Sequence, residues 1–187
     1  MLDFLENHDE QRIASDFFAG SAEAGYAALG VSLLLNTASF MLYFGQEIGE
    51  RGMDVEPFSG VNGRTSIFDW WTVQSLQALR KYIDDAHKGL DARQKAVLKR
   101  YREALELAKR PAFAEGRTYD LCYCQGEGFD PDRHFAFFRS DDTETWLVVS
   151  NFGPAADITV YIPAEAGTEP RTVTIHVPEK DFVVQQI

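Results

Sequence analysis

The period of the hydrophobic residues changes at Pro111. Before it, apolar residues recur at helical spacing or gather in continuous runs; after it, they alternate. Ile158, Val160 and Ile162 alternate with Thr159 and Tyr161, and Val173, Ile175 and Val177 with Thr174 and His176. A period of two is the pattern of strands with one buried face. Short runs rich in β-formers at Tyr119–Gln125, His134–Arg139, Trp146–Ser150, Ile158–Ile162, Thr172–Val177 and Phe182–Ile187 are separated by turn residues. Six such strands at near-even spacing predict a small antiparallel β-sandwich. The boundary before it is placed at Pro111–Gly116.

The first part reads as strand, helix, strand, helix, helix. Leu2-Asp3-Phe4-Leu5 is a short apolar run that delivers the polar cluster Glu6-Asn7-His8-Asp9-Glu10. α/β proteins build sites in this way, at the carboxyl ends of strands. From about Ala22 to Asn36, Ala24, Ala27, Ala28, Val31, Leu34 and Leu35 follow helical spacing, with Tyr26, Leu29 and Leu33 widening the apolar face. That helix should be buried on most sides. Phe40–Phe44 reads as a strand covered on both faces, so strand, helix and strand form a right-handed βαβ unit. Residues 51–68 read as a long loop containing Gly52, Pro57, Gly60 and Gly63. Val73, Leu76, Leu79 and Ile83 mark one face of a further helix. Asp91 and Gln94 form a capping box for the last one, whose stripe runs through Val97, Leu98, Tyr101, Ala104, Leu105 and Ala108 before Pro111 stops it. Its many basic residues are read as a solvated face.

Composition narrows the function classes. The chain has 187 residues with 18 basic and 29 acidic side chains, a formal charge of -11. Phosphate binding requires a basic surface, so nucleic acid is excluded as a partner, and adsorption to anionic membranes is disfavoured. Hydrophobic residues at 45% argue against general disorder. No run reaches the roughly 18 apolar residues of a membrane span. Asp3, Glu6, Asp9 and Glu10 stand where a signal peptide has its basic region, so no signal peptide is expected, and the compartment stays open. Cys122 and Cys124, expected on one strand, point to one face there and are read as two reduced thiols. His8, His87, His134 and His176 have no metal-ligand spacing.

Adjacent Asn7, His8 and Asp9 can grip vicinal hydroxyls, the carboxylate accepting hydrogen bonds while imidazole and amide donate. A carboxylate also stabilises positive charge that develops during a reaction. Taken alone, the pair His8–Asp9 is equally consistent with a structural ion pair.

Phe4-Leu5-Glu6-Asn7-His8-Asp9 resembles the fourth conserved region of the alpha-amylase family of glycoside hydrolases (family 13), at the end of the seventh barrel strand. Leu42-Tyr43-Phe44-Gly45-Gln46-Glu47 resembles the ending of the eighth strand, and Gly63–Trp71 the loop before the eighth helix. The terminal strands resemble the antiparallel domain that follows the barrel. One departure is Thr37-Ala38-Ser39, where many members carry Gly-x-Pro.

The resemblance implies the last two β/α units of a (β/α)8 TIM barrel over residues 1–110, then an antiparallel β-sandwich domain over 111–187. A complete barrel needs roughly 250 residues. It implies that Asp9 is the third catalytic carboxylate, hydrogen-bonded to ring hydroxyls beside the scissile bond, that His8 contacts the same sugar, and that Asn7 belongs to the substrate-binding set, chiefly by supporting the turn and less by direct contact. It implies an α-glucan or maltooligosaccharide substrate, with no cofactor and no structural metal. Glu47 is read as a buried carboxylate paired with an arginine, since a buried charge needs a partner. Trp70, Trp71 and Tyr43 can stack on sugars, although the usual burial of large aromatics favours the core. The nucleophile and acid/base carboxylates of a retaining glycosidase would lie upstream of Met1, so the chain is expected to be an inactive C-terminal fragment. Hydrolase and transglycosylase stay open, and the competing class is a non-catalytic carbohydrate-binding or interaction protein. An incomplete barrel exposes sheet edges through which a chain can self-associate.

Overall fold

The computed structural model describes residues 1–55, 60–69, 71–167 and 169–187. The chain divides into two compact units. One comprises Leu2–Gly25 and Phe40–Ala104; the other comprises Met1, Tyr26–Ser39 and Leu105–Ile187.

In the first unit, strand β1 (Leu2–Phe4) ends at the polar cluster and pairs with a second short strand. Helix α1 (Tyr26–Leu34) belongs to the second unit and follows one 3-10 turn, Ala22–Gly25. Strand β2, the partner of β1, covers only Ser39–Met41. The expected strand Phe40–Phe44 is thus shortened. Tyr43 and Phe44 leave the strand because they pack against a buried arginine instead of a sheet neighbour.

Helix α2 (Gln74–Asp84) has no fully buried residue, and Ile83 is 73% exposed. Of the expected apolar face, Val73 just before the helix is fully buried, Leu76 is partly buried, and Leu79 packs with Ala78 and Tyr82 against Ile48, Leu90 and Leu98, so Ile83 is the member that fails. Helix α3 (Ala92–Ala108) opens with the capping box: the Asp91 amide donates to Gln94 Oε1 (3.0 Å) and the Gln94 amide to Asp91 Oδ1 (2.8 Å). Such a cap contributes about 1 kcal/mol. Its buried side is Val97, Leu98, Tyr101 and Ala104.

In the second unit, a single helical turn, α4 (Pro111–Ala114), precedes the strands. Pro111 occupies its first turn, where a missing N–H costs nothing, so it opens a helix as well as closing one. Strands β3 (Arg117–Asp120), β4 (His134–Ser140), β5 (Thr145–Asn151) and β8 (Phe182–Gln186) form a four-stranded antiparallel sheet in the order β3-β4-β5-β8. Strands β6 (Ala156–Ile162) and β7 (Arg171–Val177) form a two-stranded antiparallel sheet. One core joins the two sheets, with Ala136, Phe138, Leu147 and Val149 on one side and Ile158, Val160, Ile162, Ile175 and Val177 on the other.

Strands β4 and β5 are buried on both faces, unlike the one-sided strands expected. Phe137, Val148, Ser150 and Phe182 face away from that core and are also buried. Helix α1 covers this second face. A Cβ on Gly30 would sit 2.4 Å from the Phe182 ring, so only glycine lets the helix come this close.

Arg139 on β4 is fully buried with no carboxylate partner among the described residues. Its Nη1 donates to Thr118 Oγ1 (2.6 Å) and to Leu35 O (3.3 Å), its Nη2 to Phe113 O (2.8 Å). Leu35 follows α1 and Phe113 lies in α4. Carbonyls at helix ends carry partial negative charge, which here stands in for a counter-ion. Burial still pulls the Arg139 pKa below its usual value.

Cys122 and Cys124 lie on a 3-10 turn, not on a strand, and both are free thiols. Strand pairing stops at Asp120 because its carboxylate takes the Cys122 amide (2.9 Å) and starts the turn. Burial pushes the Cys122 thiol up to about 11, which keeps it protonated and unreactive at neutral pH. Among the described residues no helix is long and apolar enough to cross a membrane.

Candidate functional site

The candidate site stands just beyond β1. Glu6 turns inward and is buried, while His8, Asp9 and Glu10 point outward. Asn7 makes the turn: its Oδ1 accepts the amides of Asp9 (2.7 Å) and Glu10 (3.0 Å). An asparagine bonded to the backbone two residues on is a self-contained turn. It presents His8 and Asp9 side by side, with His8 Nε2 3.4 Å from Asp9 Oδ1 and side chains 54% and 76% exposed. At that exposure the pair contributes little to stability, so its polar capacity is available to a ligand.

Beneath the turn lies a buried polar base. Glu6 Oε2 accepts from Arg12 Nη1 (2.7 Å) and Glu6 Oε1 from the Ile13 amide (2.7 Å). Arg12 also donates through Nε to Thr65 Oγ1 (3.1 Å) and through Nη2 to the Phe44 carbonyl (2.7 Å). Its guanidinium lies over the rings of Tyr43 (4.5 Å) and Phe44 (5.4 Å). Thr65 continues the chain of bonds to Glu50 Oε1 (3.4 Å), which also accepts the Gly52 amide (2.8 Å), and Ser75 Oγ donates to Glu50 Oε2. Burial raises the Glu6 pKa; the Arg12 charge and the Ile13 amide oppose it.

Gly63 and Gly52 are pinned to this base. The Arg12 amide donates to Gly63 O (2.6 Å), and the Gly63 amide to Gly52 O (2.9 Å). Gly63 has φ 80°, and a Cβ there would lie 2.3 Å from Ser15 Oγ, so the position requires glycine on both counts.

Glu47 departs from its sequence reading, while the burial of Tyr43 follows the reading that favoured the core. Glu47 forms no ion pair with an arginine among the described residues; its Oε2 has no hydrogen-bond partner there, and burial raises its pKa. The reason is that Arg12, the buried arginine of this unit, has its donors committed to Glu6, Thr65 and Phe44. Tyr43 does not offer a sugar platform: it is buried, its ring lies under Arg12, and its hydroxyl donates to Thr65 O (2.7 Å). Burial raises its pKa as well. Trp71 is half-exposed, and Trp70 lies outside the described residues.

Glu6 and Arg12 are the members that sequence reasoning missed. The available signal was an arginine set directly before the apolar pair Ile13-Ala14, a position where a cation must be buried and paired. Among the described residues no group of three or more His, Cys, Asp or Glu side chains could hold a metal ion.

Neither protein-family models nor curated proteins match the sequence. Solved structures do match in fold. AmyP in complex with maltose aligns with TM-score 0.64 at 15% identity over 99% of this chain and 40% of its own. The alpha-amylase from H.orenii aligns with TM-score 0.59 at 18% identity over 99% of this chain and 39% of its own. The Nostoc punctiforme debranching enzyme, acarbose soaked, aligns with TM-score 0.57 at 19% identity over 100% of this chain and 33% of its own. The chain therefore has the fold of a portion of alpha-amylase family enzymes and spans about two fifths or less of the length of these three structures.

Proposed function

We propose that this chain is the C-terminal portion of an alpha-amylase-like glycoside hydrolase that acts on α-glucosidic bonds of starch-like glucans with retention of configuration. The observation that carries this reading is the exposed His8–Asp9 pair, held on an Asn7 turn at the end of β1, in a chain whose fold matches part of such enzymes. Residues 1–110 complete the barrel and 111–187 form the domain that follows it.

In this reading Asp9 accepts hydrogen bonds from ring hydroxyls of the sugar beside the scissile bond. Positive charge grows on that ring as the oxocarbenium-like transition state forms, so the bonds strengthen where they lower the barrier. His8 donates to the same sugar. Asn7 holds the turn, with contact to the sugar as its lesser role. The nucleophile and the acid/base group, which must lie about 5–5.5 Å apart for retention, come from a preceding part of the polypeptide.

The 187-residue chain by itself is expected to release no reducing sugar from maltoheptaose. Turnover by the purified chain that Asp9→Asn abolishes would show that the chemistry is complete within it, and the assignment of the other two carboxylates elsewhere would fall.

The chain also exposes apolar surface of the kind a missing neighbour covers. Leu2 and Phe4, on one face of β1, are 51% and 44% exposed. Self-association through this face is expected, as a rise in weight-average mass with concentration in light scattering. Leu2→Lys should suppress it; a monomer at every concentration would rule it out.

A further inference from the structure

We infer that Glu6 and Arg12 are positioning residues, an ion-pair clamp that sets the geometry in which His8 and Asp9 are offered to a substrate. The Glu6 carboxylate ties together the two ends of the loop. One oxygen holds the Arg12 side chain (2.7 Å) and the other the Ile13 backbone amide (2.7 Å), while the segment Asn7–Gln11, exposed at His8, Asp9 and Glu10, lies between. Arg12 is in turn fixed from three further directions: Phe44 O, Thr65 Oγ1 and the faces of Tyr43 and Phe44. A loop whose two ends share one carboxylate has little freedom left. The Asn7 turn then only has to place its own next residues.

Packing alone does not call for these residue types. A buried Glu–Arg pair replaced by apolar groups of similar size is often neutral or stabilising. What an apolar pair cannot supply is direction, because hydrogen bonds to a planar guanidinium fix orientation while apolar contacts do not. Lysine cannot supply it either: its single ammonium cannot reach Glu6, Thr65 and Phe44 O with the spread of a fork.

The inference rests on the proposed function for the identity of the substrate, but its test does not. Amide hydrogen exchange is followed by NMR on the full 187-residue chain. In Glu6→Leu/Arg12→Met, the Asp9 and Glu10 amides should exchange at least about tenfold faster than in the parent, while the amides of Val97–Tyr101 on α3, in the same unit, keep their rates. Glu6→Gln, which keeps the shape and loses the charge, should show the same pattern at about threefold if the double variant does not fold. Arg12→Lys should fail to restore the loop rates. Unchanged Asp9 and Glu10 exchange in a folded variant would overturn the clamp. So would acceleration spread equally over Val97–Tyr101 of α3, which would make the pair a general stabiliser of its unit. A parent chain that gives no maltooligosaccharide response at these residues would count against the proposed function and leave the exchange result standing.

Discussion

Replacing Asp9 by alanine is expected to lower kcat about 10²–10³-fold in a polypeptide that carries this segment together with the nucleophile and acid/base carboxylates. KM should change by less than about tenfold. The size follows from losing one preorganised charged group at a centre where charge develops, which costs about 3–4 kcal/mol of barrier in comparable cases. The asymmetry follows from when the bonds matter: an interaction made mainly in the transition state is read in kcat, not in ground-state affinity. The same substitution should leave folding almost untouched. Asp9 is 76% exposed, and its backbone amide, not its side chain, takes part in the turn. Surface changes of this kind stay within about 0.5 kcal/mol. Steady-state kinetics beside urea denaturation separates the two effects, and kcat within threefold of the parent would remove Asp9 from the machinery.

The largest stability effect is expected at Arg139. Arg139→Leu should destabilise the unit that contains α1 and the antiparallel sheets by about 3–5 kcal/mol. It removes donors from Leu35 O, Phe113 O and Thr118 Oγ1, and buried acceptors left without donors cost about 1–3 kcal/mol each. The shorter side chain adds a cavity term. Thr118 also donates to Leu35 O, which softens the loss at that carbonyl. Trp146 is the cross-strand partner of Arg139, so its fluorescence reports the right unit. The urea midpoint should fall by about 2 M for a typical slope. A midpoint within 0.5 M of the parent would mean that the two helix ends do not depend on this cation.

These two sites show which features a sequence displays and which it hides. The alternation along β6 and β7 is visible because one face of each strand meets the core and the other meets water, so polarity tracks direction. The Asp91–Gln94 box is visible because both partners lie within one turn of helix. The Asn7 turn is local in the same sense. Arg139 is hidden: its partners at Leu35, Phe113 and Thr118 are scattered along the chain, and only the folded sheet and helix ends bring them together. Arg12 is hidden for a related reason. Its contacts with Phe44 and Thr65 depend on loops that no periodicity describes. That one arginine redirected two expectations: Glu47 without an arginine, and a strand that ends at Met41. Asp120 ended another strand early by capping the turn of the two cysteines, a competition between side chain and ladder that β-propensity does not register.

Whether His8 and Asp9 meet an α-glucan is read by titrating the isotope-labelled chain with maltoheptaose and following backbone amide shifts. One wall of a cleft should bind weakly, with Kd on the order of millimolar, or roughly 4 kcal/mol. The expected result is saturable shifts centred on Asn7–Glu10, absent in Asp9→Ala, while isomolar sorbitol gives none. Shifts centred on any other surface, or none at Asn7–Glu10 at saturating sugar, would contradict it.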